Sequence, residues 1–314
     1  MQRSQHRLPR FRRDPESAGA LQLTKRDIDL LCHAAEHRFI TSDWLVKLAG
    51  GSSQQILRRL NLLYHHGYLD RPRSQLDYYH EGGSRRLVYA LASRGAGRLR
   101  RDLDMPFNRM SWVSSKSQVG RVYLKHAVMI SSFMSALEVE CSKRSNVRLI
   151  YGSHSFSAEG GQGRPRAPQW CVDLPGRRRV SVVPDKIFSI EIQMPDGKLK
   201  KLHYLLEADM GTMPINRNGM AQSSILRKAT AYGTLTNNQF ATYFGSHDRP
   251  AIVIVTNGKM RARHIASSLG SKFRTRLLVT DHDARESSSD WLGLLLPSSL
   301  LGPSESNLNS RHSP

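Results

Sequence analysis

The chain has 314 residues, 39% hydrophobic and 7% aromatic, a composition typical of a folded protein with two domains and not of a disordered one. Forty-seven Lys and Arg against 26 Asp and Glu give a net charge of +21, which predicts a polyanionic partner such as double-stranded DNA. The sequence has no apolar run long enough to span a membrane, and its start lacks the apolar stretch of a signal peptide. Three widely spaced cysteines do not predict a disulfide framework or a zinc site. We therefore expect a cytoplasmic protein without a membrane partner.

The amino-terminal part of the chain predicts three helices after a basic, flexible tail at residues 1–20. Thr24 is a suitable cap for the first helix, since a threonine side chain accepts hydrogen bonds from free backbone N–H groups. A second helix is predicted from Ser42 to Ala49, and Gly50-Gly51 ends it. A third begins at Ser52 or Ser53, with Ile56, Leu60 and Leu63 as its core stripe.

Two short strands follow these helices, "YLD" and "RRLVYALA", joined by a polar connection. Three helices followed by a two-stranded basic wing are typical of the winged helix-turn-helix, whose third helix enters the major groove of DNA. Residues 21–105 are accordingly predicted to be a DNA-binding domain. Its open alternative is a purely structural or protein-binding winged helix.

The predicted DNA contacts fall into two groups of polar side chains. On the third helix, Gln can pair with adenine, Arg with guanine and Ser with either base. The wing arginines suit phosphates, which fix position without choosing sequence. The residues are Ser52, Ser53, Gln54, Gln55, Arg58 and Arg59 on the helix, and Arg71, Arg73, Arg85 and Arg86 on the wing.

The rest of the chain predicts an α/β domain over residues 118–300 and a disordered tail over 301–314. A linker rich in Arg, Gly and Asp covers residues 93 to 117, and a loop rich in Gly, Pro and Arg covers 152 to 179. Between and after them the apolar pattern predicts alternating helices and strands. The predicted order is a helix at 121–143, the strand "VRLIY", a hairpin around Pro195-Asp196-Gly197, a helix at 219–234, the strand "AIVIVT", a helix from 259 and the strand "RLLVT". The fold class is therefore α+β.

Three carboxylates lie at the strand ends of this hairpin. Asp185 precedes its first strand, and Glu207 and Asp209 end its second. Alternation puts Glu207 and Asp209 on one face of the strand, where two acids are costly unless that end is wet or holds a cation. A metal site and a structural strand end remain equal alternatives.

The runs "VVPDKIFSI", "LHYLLEADMGTMP" and "LRKATAY" resemble the replication-relaxation family of mobile-element proteins, and the resemblance extends over roughly residues 24 to 280. It implies a winged helix followed by a domain similar to the PD-(D/E)xK nucleases. It also implies a link to plasmid replication, DNA relaxation or mobilisation, with other proteins of those processes as further partners.

In such a nuclease two acids hold Mg²⁺, and a lysine two residues after the second acid orients the attacking water. Asp185 and Glu207 match the acids, but Asp209 stands at the lysine position. Lys228 on the following helix could replace that lysine, and Glu138 or Glu140 could add a ligand. A solvated Lys228 is the simpler interpretation, so its ammonium is expected beyond hydrogen-bond reach of both acids. The resemblance implies Mg²⁺ as the candidate cofactor, with Asp185, Glu207 and Asp209 as its candidate ligands.

We therefore expect a DNA-binding accessory protein of plasmid or mobile-element replication, relaxation or mobilisation, with a degenerate nuclease-like domain. The first alternative is a Mg²⁺-dependent DNA nuclease or nickase that uses Asp185, Glu207 and Lys228. The second is a winged-helix transcriptional regulator that forms a homodimer through its second domain.

Overall fold

The computed structural model describes residues 8–76, 86–103, 119–152, 169–174, 178–218, 222–273, 275–280, 291–296 and 300. The chain forms two compact units, Met1–Ala136 and Leu137–Pro314. Both mix helices and strands, as the predicted α+β class requires. Within the described ranges, no helix combines the length and hydrophobicity that a membrane span needs.

The first unit contains helices around a small antiparallel sheet with strand order β1-β3-β2. The three predicted helices and the two predicted strands are confirmed, and the short strand β1 joins them. The elements are α1 Pro15–Ala18, α2 Lys25–His37, β1 Ile40–Thr41, α3 Ser42–Ala49, α4 Ser53–His65, β2 Leu69–Asp70, β3 Val88–Leu91, α5 Ser93–Leu103 and the first turns of α6 Arg121–Ser142.

Local sequence explains the helices of this unit. Thr24 and Asp27 form a capping box at the start of α2, which satisfies backbone donors that the helix leaves unpaired. In α4, Ile56, Leu60 and Leu63 are fully buried, because residues three and four apart share one helical face. This stripe packs with residues of α2, α3 and β3 in one hydrophobic core.

Two segments of the first unit differ from the sequence prediction. The predicted linker begins with a helix, α5, of which Gly95, Ala96 and Leu99 are buried. Part of the predicted flexible tail is packed, since Arg13 donates to the Tyr64 carbonyl at 3.2 Å and the Asp14 N–H donates to His65 at 3.0 Å. Residues 1–7 lie outside the described ranges.

The second unit contains a five-stranded mixed sheet with strand order β10-β9-β8-β7-β4 and a separate hairpin of β5 and β6. Strands β4, β7 and β8 are antiparallel neighbours, and β9 and β10 extend the sheet in parallel from β8. The elements after the rest of α6 are β4 Val147–Tyr151, β5 Trp170–Leu174, β6 Arg178–Val182, β7 Lys186–Gln193, β8 Leu199–Asp209, α7 Ile225–Thr234, α8 Asn237–Phe244, β9 Ala251–Asn257, α9 Lys259–Leu269, β10 Thr275–Thr280 and α10 Trp291–Leu295.

The β7–β8 hairpin confirms the prediction and positions the acids. Gly197 takes a φ of 79° in its turn, a conformation that glycine adopts without steric cost. The pairing sets Lys186 opposite Leu206, so Asp185 lies beside the end of β8. Helix α7 covers this part of the sheet, packing Ala229 and Tyr232 with Leu205, Ile252 and other apolar residues.

The prediction was wrong about three other segments of this unit. The predicted loop at residues 152 to 179 contains β5 and the first two residues of β6, and residues 153–168 and 175–177 of it lie outside the described ranges. Helix α7 begins at Ile225 instead of residue 219, with Ser224 as its cap. Helix α8 was not predicted. The predicted tail at 301–314 also lies outside the described ranges.

Candidate functional site

The amino-terminal half of α4 presents polar side chains to solvent. Ser52, Ser53, Gln54, Gln55 and Arg58 are all exposed, while the opposite face of the helix is in the core. Ser52 also caps α4 by accepting from the Gln55 N–H. The predicted base-contacting residues are therefore all accessible on the first turns of α4, with Arg59 as the exception.

Arg59 differs from its predicted role because it forms an ion pair inside the unit. Its guanidinium donates to both carboxylate oxygens of Asp27, at 2.9 and 2.5 Å, and to the Gln22 carbonyl at 2.8 Å. Asp27 is fully buried. Burial by itself would raise the pKa of Asp27, but hydrogen bonds from Arg59 and Thr24 lower it overall. Arg59 thus joins α4 to α2.

Arg71 likewise lies in the interior and not on the surface of a wing. It is 4% exposed and donates to the Arg10 carbonyl, the Asn61 side chain and the Tyr89 hydroxyl, at 2.8, 2.8 and 2.9 Å. Its guanidinium also stacks 4.0 Å from the Tyr64 ring centroid. A phosphate cannot reach this group, which corrects the predicted role of Arg71.

The other predicted wing arginines are in different situations. Arg73 is exposed. Arg86 is exposed and forms an ion pair with Asp43. Arg85 lies outside the described ranges, so its predicted contact stays a prediction.

In the second unit, Asp185 and Glu207 lie on adjacent strand ends, as predicted. The Asp185 N–H donates to the Leu206 carbonyl at 3.0 Å, and Asp185 Oδ2 accepts from the Ala208 N–H at 2.8 Å. These two backbone contacts hold Asp185 against the residues on both sides of Glu207. Glu207 itself is 8% exposed, so this part of the site is not as wet as expected.

Lys228 contacts Glu207, and the prediction that its ammonium is out of reach is wrong. Lys228 Nζ lies 2.5 Å from Glu207 Oε2. The Tyr232 hydroxyl donates to Glu207 Oε1, so each carboxylate oxygen accepts a hydrogen bond from α7. Lys228 follows Ile225 by three residues and precedes Tyr232 by four, which puts all three on one helical face.

The charges of this cluster shift one another's pKa values. Burial raises the pKa of Glu207 to about 7; Asp185 adds to the increase and Lys228 opposes it. Burial by itself would lower the pKa of Lys228, but the carboxylates of Glu207 and Asp185 outweigh it and raise that pKa. The arrangement is two acids and one cation, of which Glu207 is buried and Asp185 and Lys228 are partly buried.

Asp209 forms an ion pair with an arginine side chain that the sequence did not indicate. Arg261 of α9 donates to Oδ2 and Oδ1 of Asp209, at 2.8 and 3.0 Å, and also to the Met213 carbonyl. Thr256 and the Gly211 N–H donate to the same carboxylate, at 2.8 and 3.1 Å. Burial would raise the pKa of Asp209, but these donors lower it overall. Asp209 is therefore an internal anchor for the chain after β8.

The carboxylates differ in how well they fit a divalent cation. Each Asp209 oxygen accepts at least two hydrogen bonds, so Asp209 does not fit the predicted role of ligand. Asp185 and Glu207, on adjacent strand ends, supply hard oxygen atoms of the kind that Mg²⁺ prefers. Glu138 and Glu140 are engaged elsewhere: Glu138 accepts from Tyr151 at 2.5 Å, and Glu140 pairs with Lys143 at 2.6 Å.

Tyr232 and Arg261 are the contributors that sequence reasoning missed. The four-residue spacing from Lys228 to Tyr232 is a local signal that could have indicated Tyr232. Arg261 is 52 residues from Asp209, and no local pattern joins the two.

The chain is an α+β protein with an exposed polar surface on α4 in the first unit and a partly buried cluster of acids and bases in the second. Residues 31–244, more than half of the chain, match the family described as replication-relaxation, and the protein belongs to that family. Comparison with curated proteins and with solved structures gave no match.

Proposed function

We propose that the first unit is a winged helix that binds double-stranded DNA with α4 in the major groove. Three helices precede the β2–β3 pair, in the order expected of that fold. The observation that carries the proposal is that the polar side chains at the amino-terminal end of α4 are exposed, while the apolar stripe of the same helix is in the core. The exposed residues are Ser52, Ser53, Gln54, Gln55 and Arg58. These side chains have the donors and acceptors that base edges require.

Charge supports the same proposal. A net charge of +21 favours a polyanion, because neutralising phosphates releases counterions from DNA. Arg73 is exposed near α4 in sequence and can contact phosphate without reading bases. Arg86 could do so only by exchanging Asp43 for a phosphate.

The experiment is a selection of duplex sites by the full-length protein, followed by affinity measurements at several salt concentrations. Arg58→Ala should lower affinity for the selected site by about 1–3 kcal/mol, the value of one good base contact, and relax its sequence preference. Arg100→Ala removes an equal charge from α5 and should leave the preference unchanged. Absence of duplex binding at low salt would refute the proposal.

A second candidate function is Mg²⁺-dependent DNA cleavage by the second unit, and the 2.5 Å contact between Lys228 and Glu207 favours it. The order of α6, the three antiparallel strands β4, β7 and β8, and the parallel strand β9 supports a nuclease-like core. Asp185 and Glu207 would hold the ion, which would activate water and offset charge on the phosphate. Lys228 would supply the cation that the sequence lacks at Asp209.

We rank cleavage second because both Glu207 oxygens already accept hydrogen bonds from α7. A metal ion would have to replace the hydrogen bonds from Lys228 and Tyr232, or bind the same Glu207 oxygens beside them. The ranking can be tested by plasmid nicking in Mg²⁺ or Mn²⁺. Nicking that Asp185→Asn, Glu207→Gln and Lys228→Met each abolish, but that Lys198→Met on the exposed hairpin leaves unchanged, would make the protein a nuclease.

In the cell we propose an accessory role in plasmid or mobile-element replication, relaxation or mobilisation. Family membership supports this role, with DNA and other proteins of those processes as partners. A transcriptional regulator that dimerises through the second unit remains the alternative, and site-specific binding upstream of a promoter with repression would favour it.

A further inference from the structure

Helix α4 carries one leucine that its core does not use. Leu57 is 45% exposed, whereas Leu60, Leu62 and Leu63 of the same helix are 0%, 8% and 0% exposed. An isolated exposed leucine is ordinary on a protein surface. This one is notable for its position, because it interrupts the polar surface proposed to face DNA.

The helical spacing sets Leu57 beside the candidate base-reading residues. It follows Gln54 by three positions and directly precedes Arg58, which is itself four positions after Gln54. Residues three and four apart are neighbours on a helix surface. A duplex that contacts Gln54 therefore comes within reach of both Leu57 and Arg58, which lie on the next turn on either side of Gln54.

The chemistry of that partner limits what an apolar side chain can contact. Phosphates and most base-edge atoms are polar, so burying leucine against them removes water from them without a replacement bond. The major groove offers one apolar feature, the C5 methyl group of thymine. A protein partner is less favoured, because Leu57 is the only exposed large apolar side chain within α4, a helix that the structure describes throughout, and the polar Ser53 and Gln54 lie one turn before it.

We propose that Leu57 is a specificity-determining residue that packs on a thymine methyl group, at a base pair next to those read by Gln54 or Arg58. This inference rests on the proposed DNA-binding function. It adds a thymine requirement that the polar residues do not predict.

The test replaces single thymines of the selected duplex with deoxyuridine, which removes only the methyl group. With the full-length protein, each copy of α4 bound to the duplex should have one thymine whose replacement lowers affinity about three- to fivefold. This is the loss expected for one buried methyl group. Leu57→Ala should bind the thymine and deoxyuridine duplexes equally at that position. Leu103→Ala, which truncates a leucine that is 50% exposed on α5, should keep the wild-type difference.

The possible outcomes distinguish a failure of the role proposed for Leu57 from a failure of the proposed DNA binding. If the wild type binds duplex DNA but Leu57→Ala keeps the same deoxyuridine sensitivity, the role of Leu57 is refuted and DNA binding stands. If Leu57→Ala alters sedimentation of the protein and not that sensitivity, Leu57 is a protein contact and the inference fails. If the wild type binds no duplex at low salt, the proposed function itself fails.

Discussion

Arg58 and Arg59 are adjacent in sequence but have different environments. Arg58 is exposed on α4, whereas Arg59 donates to both oxygens of the fully buried Asp27. An arginine held by a buried carboxylate stabilises the fold and is not free to read a base. Of the two arginines, only Arg58 is therefore available to a partner outside the unit.

We predict that Arg59→Ala lowers the local stability of α2 and α4 at pH 7 by about 1–3 kcal/mol, because it leaves the buried Asp27 without its charged partner. Hydrogen–deuterium exchange of the amides of these helices measures the change. Arg58→Ala is the matched control and should leave exchange unchanged while weakening DNA binding. Equal losses of protection in both variants would contradict the assignment.

The Asp27 pair also gives a pH dependence with a defined sign. The folded-state pKa of Asp27 lies below its ordinary value, so its contribution is present above the unfolded pKa and is lost as pH falls through the folded pKa. In the wild type, α2 protection should therefore decrease in acid below about pH 4. Arg59→Ala should reduce this acid-induced loss.

In the second unit, Glu207 gives a pH dependence of stability that is opposite in sign to that of Asp27. Its pKa rises from 4.5 to about 7, so the folded state binds a proton that the unfolded state releases. This contribution is present below about pH 4.5 and is lost as pH rises through 7. The loss is at most about 3 kcal/mol, because 1.36 kcal/mol corresponds to each pKa unit.

We predict that the wild type loses β8 amide protection, relative to Glu207→Gln, between pH 5 and pH 8. The comparison between variants is needed because burial lowers the pKa of His203, also on β8, to about 4, which gives the reverse slope between pH 4 and 6.5. His203→Asn is therefore the control that should keep the Glu207 effect. The same pH dependence in wild type and Glu207→Gln would contradict the prediction.

At the scale of elements, α5 shows how a glycine can favour a helix instead of breaking it. A Cβ on Gly95 would lie 2.3 Å from the Tyr68 carbonyl oxygen, so the helix approaches the chain near β2 more closely than any other residue allows. Gly97 on the same helix is exposed and has open space around its Cα. Packing therefore requires glycine at position 95 but not at position 97.

We predict that Gly95→Ala lowers the free energy of unfolding by about 1–3 kcal/mol, since backbone must shift to remove the overlap. Gly97→Ala should be neutral or stabilise by about 0.5–1 kcal/mol, because alanine favours helix over glycine. Thermal unfolding of the full-length variants compares the two. A similar effect of both substitutions would show that α5 does not depend on this close approach.

The elements that the sequence predicted correctly are those with a strong local signal. Thr24 and Asp27 cap α2, the apolar stripe of α4 has helical spacing, and Pro195-Asp196-Gly197 marks the β7–β8 turn. Helix α5 was missed because Gly95 and Gly97 lower helix propensity, and the packing on Tyr68 that overrides this is not local. Strand β5 was missed because the Gly, Pro and Arg residues around it indicate a loop, although Trp170, Val172 and Leu174 alternate as buried positions.

The candidate site shows the same division. Asp185 and Glu207 could be paired from the sequence because a hairpin joins their strands. The position of Lys228 was predicted wrongly because a lysine on a helix was assigned to solvent, although the helical phase of Ile225, Ala229 and Tyr232 puts Lys228 beside the buried face. Arg261 could not be predicted, since α9 reaches Asp209 only through the tertiary fold.

At the scale of the whole molecule, the first unit extends beyond the helices and wing that the sequence marks. The segment before α2 contributes Arg13, whose side chain donates to the Tyr64 carbonyl, and Arg10, whose carbonyl accepts from Arg71. On the other side, Leu124 of α6 is 1% exposed and packs with Phe39, Val88 and Ala90. A stable fragment that contains α4 should therefore need both flanks.

We predict that the fragment Met1–Ala136 is more stable than residues 21–105, by several kcal/mol, because the shorter fragment loses the Arg13 and Leu124 contacts together. Urea unfolding measures the difference. Within the longer fragment, Leu124→Ala should cost about 2–5 kcal/mol as a buried leucine truncation, whereas Val122→Ala, which is 68% exposed on the same helix, should change little. If residues 21–105 were as stable as the longer fragment, the flanks would be dispensable. At a temperature where both fragments are folded, they should bind duplex DNA with similar affinity at low salt, because both contain α4.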